Sequence, residues 1–152
     1  MSFPDYKYGT GLSNVGSYQV SGKPFCSGNL TAPDVTSGDP PLKIEFPSVT
    51  RWVKIIPITG SAATHLRIGF SANGVSGSSA SNYFRYIAGN NLNHEQSGPE
   101  PLELKVTELY FASDNGDTVN FDVVAGLTGI SVDRINNISP SGSNWSGSIG
   151  VG

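Results

Sequence analysis

Apolar and polar residues alternate through the middle of this 152-residue chain. Leu42, Ile44 and Phe46 share one side of an extended segment with Lys43 and Glu45 on the other, the period-two signature of a half-buried strand. The same alternation predicts strands over 64–71, with Leu66, Ile68 and Phe70 inward and His65 and Arg67 outward, and over 82–87. Arg51–Thr59 is nearly continuously apolar, which predicts a strand covered on both faces. Pro57 lacks an N–H and belongs at a strand end, an edge or a bulge. Leu102, Leu104 and Val106 form the next alternating set, and the apolar phase then flips at Thr107–Phe111, which implies a bulge or a short turn. Asp114-Asn115-Gly116-Asp117 is a hairpin signal, so residues 118–125 are expected to return antiparallel to 109–113. Residues 72–81 and 89–101 read as polar loops, and no window of helical length has a 3.6-residue apolar period. Seven or eight short strands at roughly ten-residue spacing predict an all-β fold, an antiparallel β-sandwich or jelly roll. Its core is expected to hold Leu42, Ile44, Phe46, Val53, Ile55, Leu66, Ile68, Phe70, Leu104, Val106, Phe121 and Val123.

The flanks follow another rule. Residues 1–41 read as an extended arm, punctuated by glycines and kept out of helix by Pro4, Pro24, Pro33, Pro40 and Pro41, with short edge strands at 17–21 and 28–31. Residues 139–152 read as a flexible Gly/Ser-rich tail, leaving 42–138 as the sandwich domain. The arms carry large apolar groups at Phe3, Tyr6, Tyr8, Tyr18 and Trp145 that a short extended segment has no means of burying by itself. Segments that stay disordered are poor in such groups, so these residues are the candidate partner-binding anchors.

Composition narrows the function. Charged residues are only 14% of the chain and the net charge is −3, with lysine and arginine scattered, which disfavours nucleic acid. No apolar run approaches the ~20 residues of a membrane-spanning helix. The first residues lack the basic-then-apolar layout of a secretory signal, so synthesis in a cytoplasm is expected. One cysteine, Cys26, excludes an internal disulfide framework and reads as a small packing group.

Catalytic chemistry finds little to stand on. His65 sits on the polar side of a strand and His94 in a polar loop, with no Gly-x-Ser-x-Gly elbow and too few His and Cys for zinc. The Asp114–Asp117 run offers oxygen ligands for calcium, but its spacing is not that of an EF-hand and the turn already explains it. Asn29, Asn137 and Asn144 open glycosylation-type triplets, read as accidental without a secretory signal. Tyr83, Tyr86 and Tyr110 are candidates for a sugar-stacking platform, although aromatics on strands are more often core or interface. No enzyme activity, cofactor or metal is therefore expected.

The segment from Tyr8-Gly9-Thr10-Gly11-Leu12 through Tyr18-Gln19-Val20-Ser21-Gly22-Lys23-Pro24 resembles the N-termini of small virion structural proteins from marine tailed bacteriophages. The texture of Trp52-Val53-Lys54-Ile55, Leu66–Ser71, Leu104–Phe111 and Val124–Ile130 is similar to the same group. The resemblance implies a structural, non-enzymatic role in the virion, that of a capsid decoration (cement) protein. Its partners would be the major capsid protein or other virion proteins, with homo-oligomers on the particle. The alternative is a carbohydrate-binding module of a tail or fibre, with a glycan as ligand.

Overall fold

A computed structural model of the chain describes residues 22–59, 64–77, 81–87, 100–134 and 145–152. The described residues form an all-β sandwich of two antiparallel sheets. Seven strands run in chain order as β1 (Pro24–Ala32), β2 (Leu42–Glu45), β3 (Thr50–Thr59), β4 (His65–Gly69), β5 (Tyr83–Ile87), β6 (Glu108–Ser113) and β7 (Val119–Leu127). One sheet has the order β1-β7-β3 and the other β2-β6-β4-β5. A five-residue helix, α1 (Ala72–Ser76), follows β4, and one turn of 3-10 helix spans Val132–Arg134.

The core lies between the sheets, where the alternation put it. Ile44, Phe46, Val53, Ile55, Leu66, Ile68, Val106, Phe121 and Val123 are buried, and Leu42, Phe70 and Leu104 pack against them half-buried. Leu109, Phe111 and Val119 join the same core, with Phe111 and Phe121 stacked at 4.5 Å between ring centroids.

Tertiary pairing changed several local expectations. The sheet begins at Pro24, upstream of the 41/42 boundary, because residues 24–32 ladder along β7 and Ala32 enters the core. A register shift between Ser27 and Leu30 accommodates Asn29 at φ 57°. The rest of the arm, including the edge strand expected at 17–21, lies outside the described residues.

β3 lies at the end of its sheet, and among the described residues the other sheet packs on its inner face while Trp52, Lys54 and Ile56 on the outer face are half-buried. Val53, Ile55 and Pro57 are buried inward, while Ile58 on the opposite face is 49% exposed. Pro57 sits beside a register shift, where its missing N–H costs nothing. Residues 102–106, expected as a strand, instead run along the outer edge of β3 with one antiparallel bridge, Val53 to Leu102. Thr50 Oγ1 accepts the Val106 N–H there. The phase flip at Thr107 is the point where the chain leaves that edge and enters β6 in the other sheet. Thr107 is a bend there, and the irregularity resets which residues face the core.

Asn115 and Gly116 both hold positive φ, at 65° and 77°, as the turn chemistry demands. The strands they join are nevertheless not a hairpin. β6 is flanked by β2 and β4, and β7 by β1 and β3, so neither has a free edge for the other. The turn is an arch between sheets. The expected loop at 72–81 holds α1, started by Ser71, whose Oγ accepts the Gly74 N–H at 3.0 Å, and ended by Gly77 at φ 73°.

Candidate functional site

The alternation that fills the core also decorates the two outer faces, and they differ in kind. On the four-stranded sheet, Lys43 and Glu45 of β2, Glu108 and Tyr110 of β6, His65 and Arg67 of β4, and Tyr83 and Arg85 of β5 all point away from the core. Lys43 Nζ lies 2.7 Å from Glu45 Oε1 and 2.7 Å from Glu108 Oε2, and Tyr110 donates its hydroxyl to Glu108 Oε1 at 3.2 Å. The hydrogen bond to Glu108, then that to Glu45, holds the Lys43 ammonium well above its usual range.

A second cluster surrounds Asp114, whose side chain is only 8% exposed. Its Oδ1 accepts the His65 backbone N–H at 2.9 Å and faces His65 Nδ1 at 3.1 Å. Its Oδ2 is 3.6 Å from both Arg67 Nε and Arg85 Nη1. Burial pushes the Asp114 carboxyl up, but the His65 N–H, the His65 ring and the Arg67 charge together outweigh it and hold the carboxyl below its ordinary range. The Arg67 guanidinium stacks 4.4 Å from the Tyr83 ring centre, while its buried Nε has no hydrogen bond and is held by charge alone.

Tyr83 and Tyr110 therefore share this face, flanking Gly69, to which both are paired. Tyr86 does not join them; it points inward and meets Phe84 edge-on at 5.7 Å. The strip over Gly69 is not open. A side chain there would strike Val75 of α1, which is buried.

The outer face of the three-stranded sheet mixes apolar Trp52, Ile56, Ile58 and Val124 with polar Lys54, Asp122, Asn120 and Thr31, the last two joined by a hydrogen bond. Pro24, Gly126 and Trp52 form one row across it, and Cys26, Val124 and Lys54 the next. Ile56 and Asp122 follow, then Ile58 at the far end of β3. Gly126 is required by Trp52, whose indole occupies the space a Cβ would take.

One end of the sandwich gathers both chain segments read as arms. Gly22 N donates to Leu127 O at 2.5 Å, beside Thr128. Thr128 bonds to Val49, and Val49 and Ile130 form a small apolar cluster onto which Trp145 packs. Trp145 also meets Phe70 edge-on at 6.3 Å. Beyond it, Ser71 Oγ donates to Val151 O at 2.6 Å, and Gly74 admits that carbonyl because it has no side chain. Residues 145–152 of the stretch read as a flexible tail thus close on their own chain, and Trp145, the candidate anchor among them, is half-buried against Phe70, Val49 and Ile130. Phe3, Tyr6, Tyr8 and Tyr18 lie outside the described residues, as does His94.

At the opposite end, the arch covers a depression of about 470 Å³ lined by Asp34, Asp39, Gly116 and Asp117. Asp34 is already engaged, accepting from Thr36 and from Gly116 N at 3.2 Å. In the calcium candidate run, Asp114 pairs with cations and Asp117 accepts from Thr118 N. Among the described residues no three His, Cys, Asp or Glu side chains come together as a metal site.

The sequence marked His65 and Arg67 as outward but gave no sign that Asp114, 47 positions beyond Arg67, completes their cluster. Comparison with protein-family models, with curated proteins and with solved structures finds no match for this chain.

Proposed function

We propose that the chain is a non-enzymatic virion structural protein, a capsid decoration subunit made in the host cytoplasm and attached to major capsid or other virion proteins through its N-terminal arm. The observation that carries this reading is polarity. The first described residue, Gly22, lies beside Thr128, at the same end where Trp145 packs on Val49 and Ile130. Attachment from that end leaves the arch, at the opposite end, available to neighbouring subunits. The sequence supplies the means, with Phe3, Tyr6, Tyr8 and Tyr18 spaced along residues 1–21, whose charged side chains are Asp5 and Lys7 alone. Ordering such an arm costs about 1–2 kcal/mol per residue, which several anchors burying about 1.5–3 kcal/mol each must offset.

The discriminating experiment deletes residues 2–16 and measures retention on particles stripped of the native protein. Loss of retention with an unchanged melting temperature is the expected result. Retention equal to the full chain defeats arm attachment. Deleting the tail is a poorer probe, because residues 145–152 support the sandwich itself. The second reading, a glycan-binding module, draws on Tyr83 and Tyr110 sharing an outer face. Glycan binding by the isolated chain that is lost in Tyr83→Ala selects it.

A further inference from the structure

We infer that β5 is a self-association edge, which pairs antiparallel with β5 of a second copy of this chain about a two-fold axis at Phe84. One sheet then runs through both copies, with four strands from each. The inference is independent of how the N-terminal segment attaches, because it uses β5 and its neighbours alone.

The outermost strands of the two sheets are β1 and β3, and β2 and β5. Among the described residues, three of the four carry features that discourage a further strand. β1 is interrupted by the register shift between Ser27 and Leu30, with Asn29 in the left-handed region. β3 has Pro57 and two register shifts, and its Val53 already exchanges both backbone hydrogen bonds with Leu102. β2 is only four residues long and carries Lys43 and Glu45. β5 differs. Tyr83–Ile87 runs in unbroken register along β4, has no proline or lysine, and ends on Ile87, which is 65% exposed.

The backbone of β5 has a definite direction. His65 N donates to Asp114 Oδ1 and His65 O accepts from Asp114 N, so the His65 peptide groups address β6. Alternation turns those of Arg67 and Gly69 the same way, and leaves Leu66 and Ile68 to bond their partners Tyr86 and Phe84 on β5. Tyr83, Arg85 and Ile87 therefore aim their N–H and C=O groups off the end of the sheet, where no strand lies among the described residues. Such a row of alternating donors and acceptors is self-complementary in an antiparallel pair, so the edge fits a copy of itself.

Charge chooses the register. A two-fold at Arg85 would set Arg85 directly opposite Arg85, a like-charge pair. One at Tyr86 would leave Tyr83 beyond the paired strand. A two-fold at Phe84 sets Arg85 of each copy opposite Tyr83 of the other. Tyr83 already makes this kind of cation–ring contact in its own chain, with Arg67 at 4.4 Å and with Arg85 at 5.9 Å. On the inner side the same axis brings the two half-buried Phe84 side chains face to face. A second copy thus supplies both the ring that Arg85 can use and the matching row of donors and acceptors. Edges of this length bury little surface, so the association is weak and concentration-dependent.

Sedimentation equilibrium of the full chain, run up to its solubility limit, tests this beside three variants whose folding is checked by thermal melting. Arg85→Pro removes an outward N–H while leaving the bonds to β4, and should abolish the dimer. Tyr83→Lys sets a lysine opposite Arg85 of the other copy and should weaken the dimer about tenfold. Ile87→Lys faces Ser81 in this register and should stay within about twofold of the full chain. A full chain that is monomeric at every concentration overturns the proposal. A dimer of equal strength in the full chain and in folded Tyr83→Lys places the contact elsewhere and overturns it too. Greater weakening by Ile87→Lys than by Tyr83→Lys overturns the axis at Phe84. The chain lacking residues 2–16 should dimerise like the full chain, so particle retention and self-association fail separately.

Discussion

The two outer faces of the sandwich are built on the same core and by the same alternation, yet they present different chemistry to solvent. On the four-stranded sheet every charge named above has a partner on that face: Lys43 with Glu45 and Glu108, and Asp114 with His65, Arg67 and Arg85. The charges of that face are satisfied among themselves, and its exposed large apolar group is Ile87 on the edge strand β5, opposite His65. On the three-stranded sheet the outward groups of β3 are the half-buried Trp52, Lys54 and Ile56 and the exposed Ile58, with no ion pair among the described residues to match those of the other face. A sandwich obliges each strand to bury one side only. What the other side carries shows whether the molecule is finished alone.

The largest effect that would break this contrast is at Asp114. Asp114→Ala leaves the half-buried Arg67 without its counter-charge and the His65 N–H without its acceptor, and is expected to cost about 3 kcal/mol in denaturant unfolding. The pH dependence follows from the lowered carboxyl. A group whose folded pKa lies below its ordinary 3.8 contributes stability that is present above about pH 4 and is lost as pH falls further. Wild type should therefore lose stability on acidification below pH 4 more steeply than Asp114→Ala, and parallel curves count against the cluster. A smaller loss, about 1–2 kcal/mol, is expected for Gly126→Ala, whose methyl would displace Trp52 from the outer face. A shift in tryptophan emission accompanies it if Trp52 moves. The smallest effect belongs to Ile58→Lys, within about 0.5 kcal/mol by thermal melting, because its outer position contributes nothing to the core. A large loss there would mean that Ile58 is already covered within the chain.

Much of the core was legible because a period of two is a local property. Leu66, Ile68, Phe121 and Val123 face inward in any sheet that pairs those strands. The Asn115-Gly116 turn was legible for a similar reason, since positive φ at both positions is a matter of the residues themselves. Pro57, lacking a donor, was confined to a strand end, an edge or a bulge, and it sits beside a register shift of β3. Which sheet a strand joins is another matter. It depends on which edges are already taken, and so the same Asn-Gly turn became an arch between β6 and β7 in place of a hairpin.

The sequence by itself determined which residues lie on one side of each strand, where the chain turns, and that the surface carries few charges. Only the tertiary structure decided that 24–32 belong to the sheet, that Trp145 closes onto Phe70, and that Asp114 gathers two arginines from neighbouring strands. It alone decided that Trp52, Ile56 and Val124 share one outer face. Alternation is set between adjacent residues, whereas these contacts join positions tens of residues apart. Their free energy comes from burying surface and pairing charge across strands, which no local pattern contains.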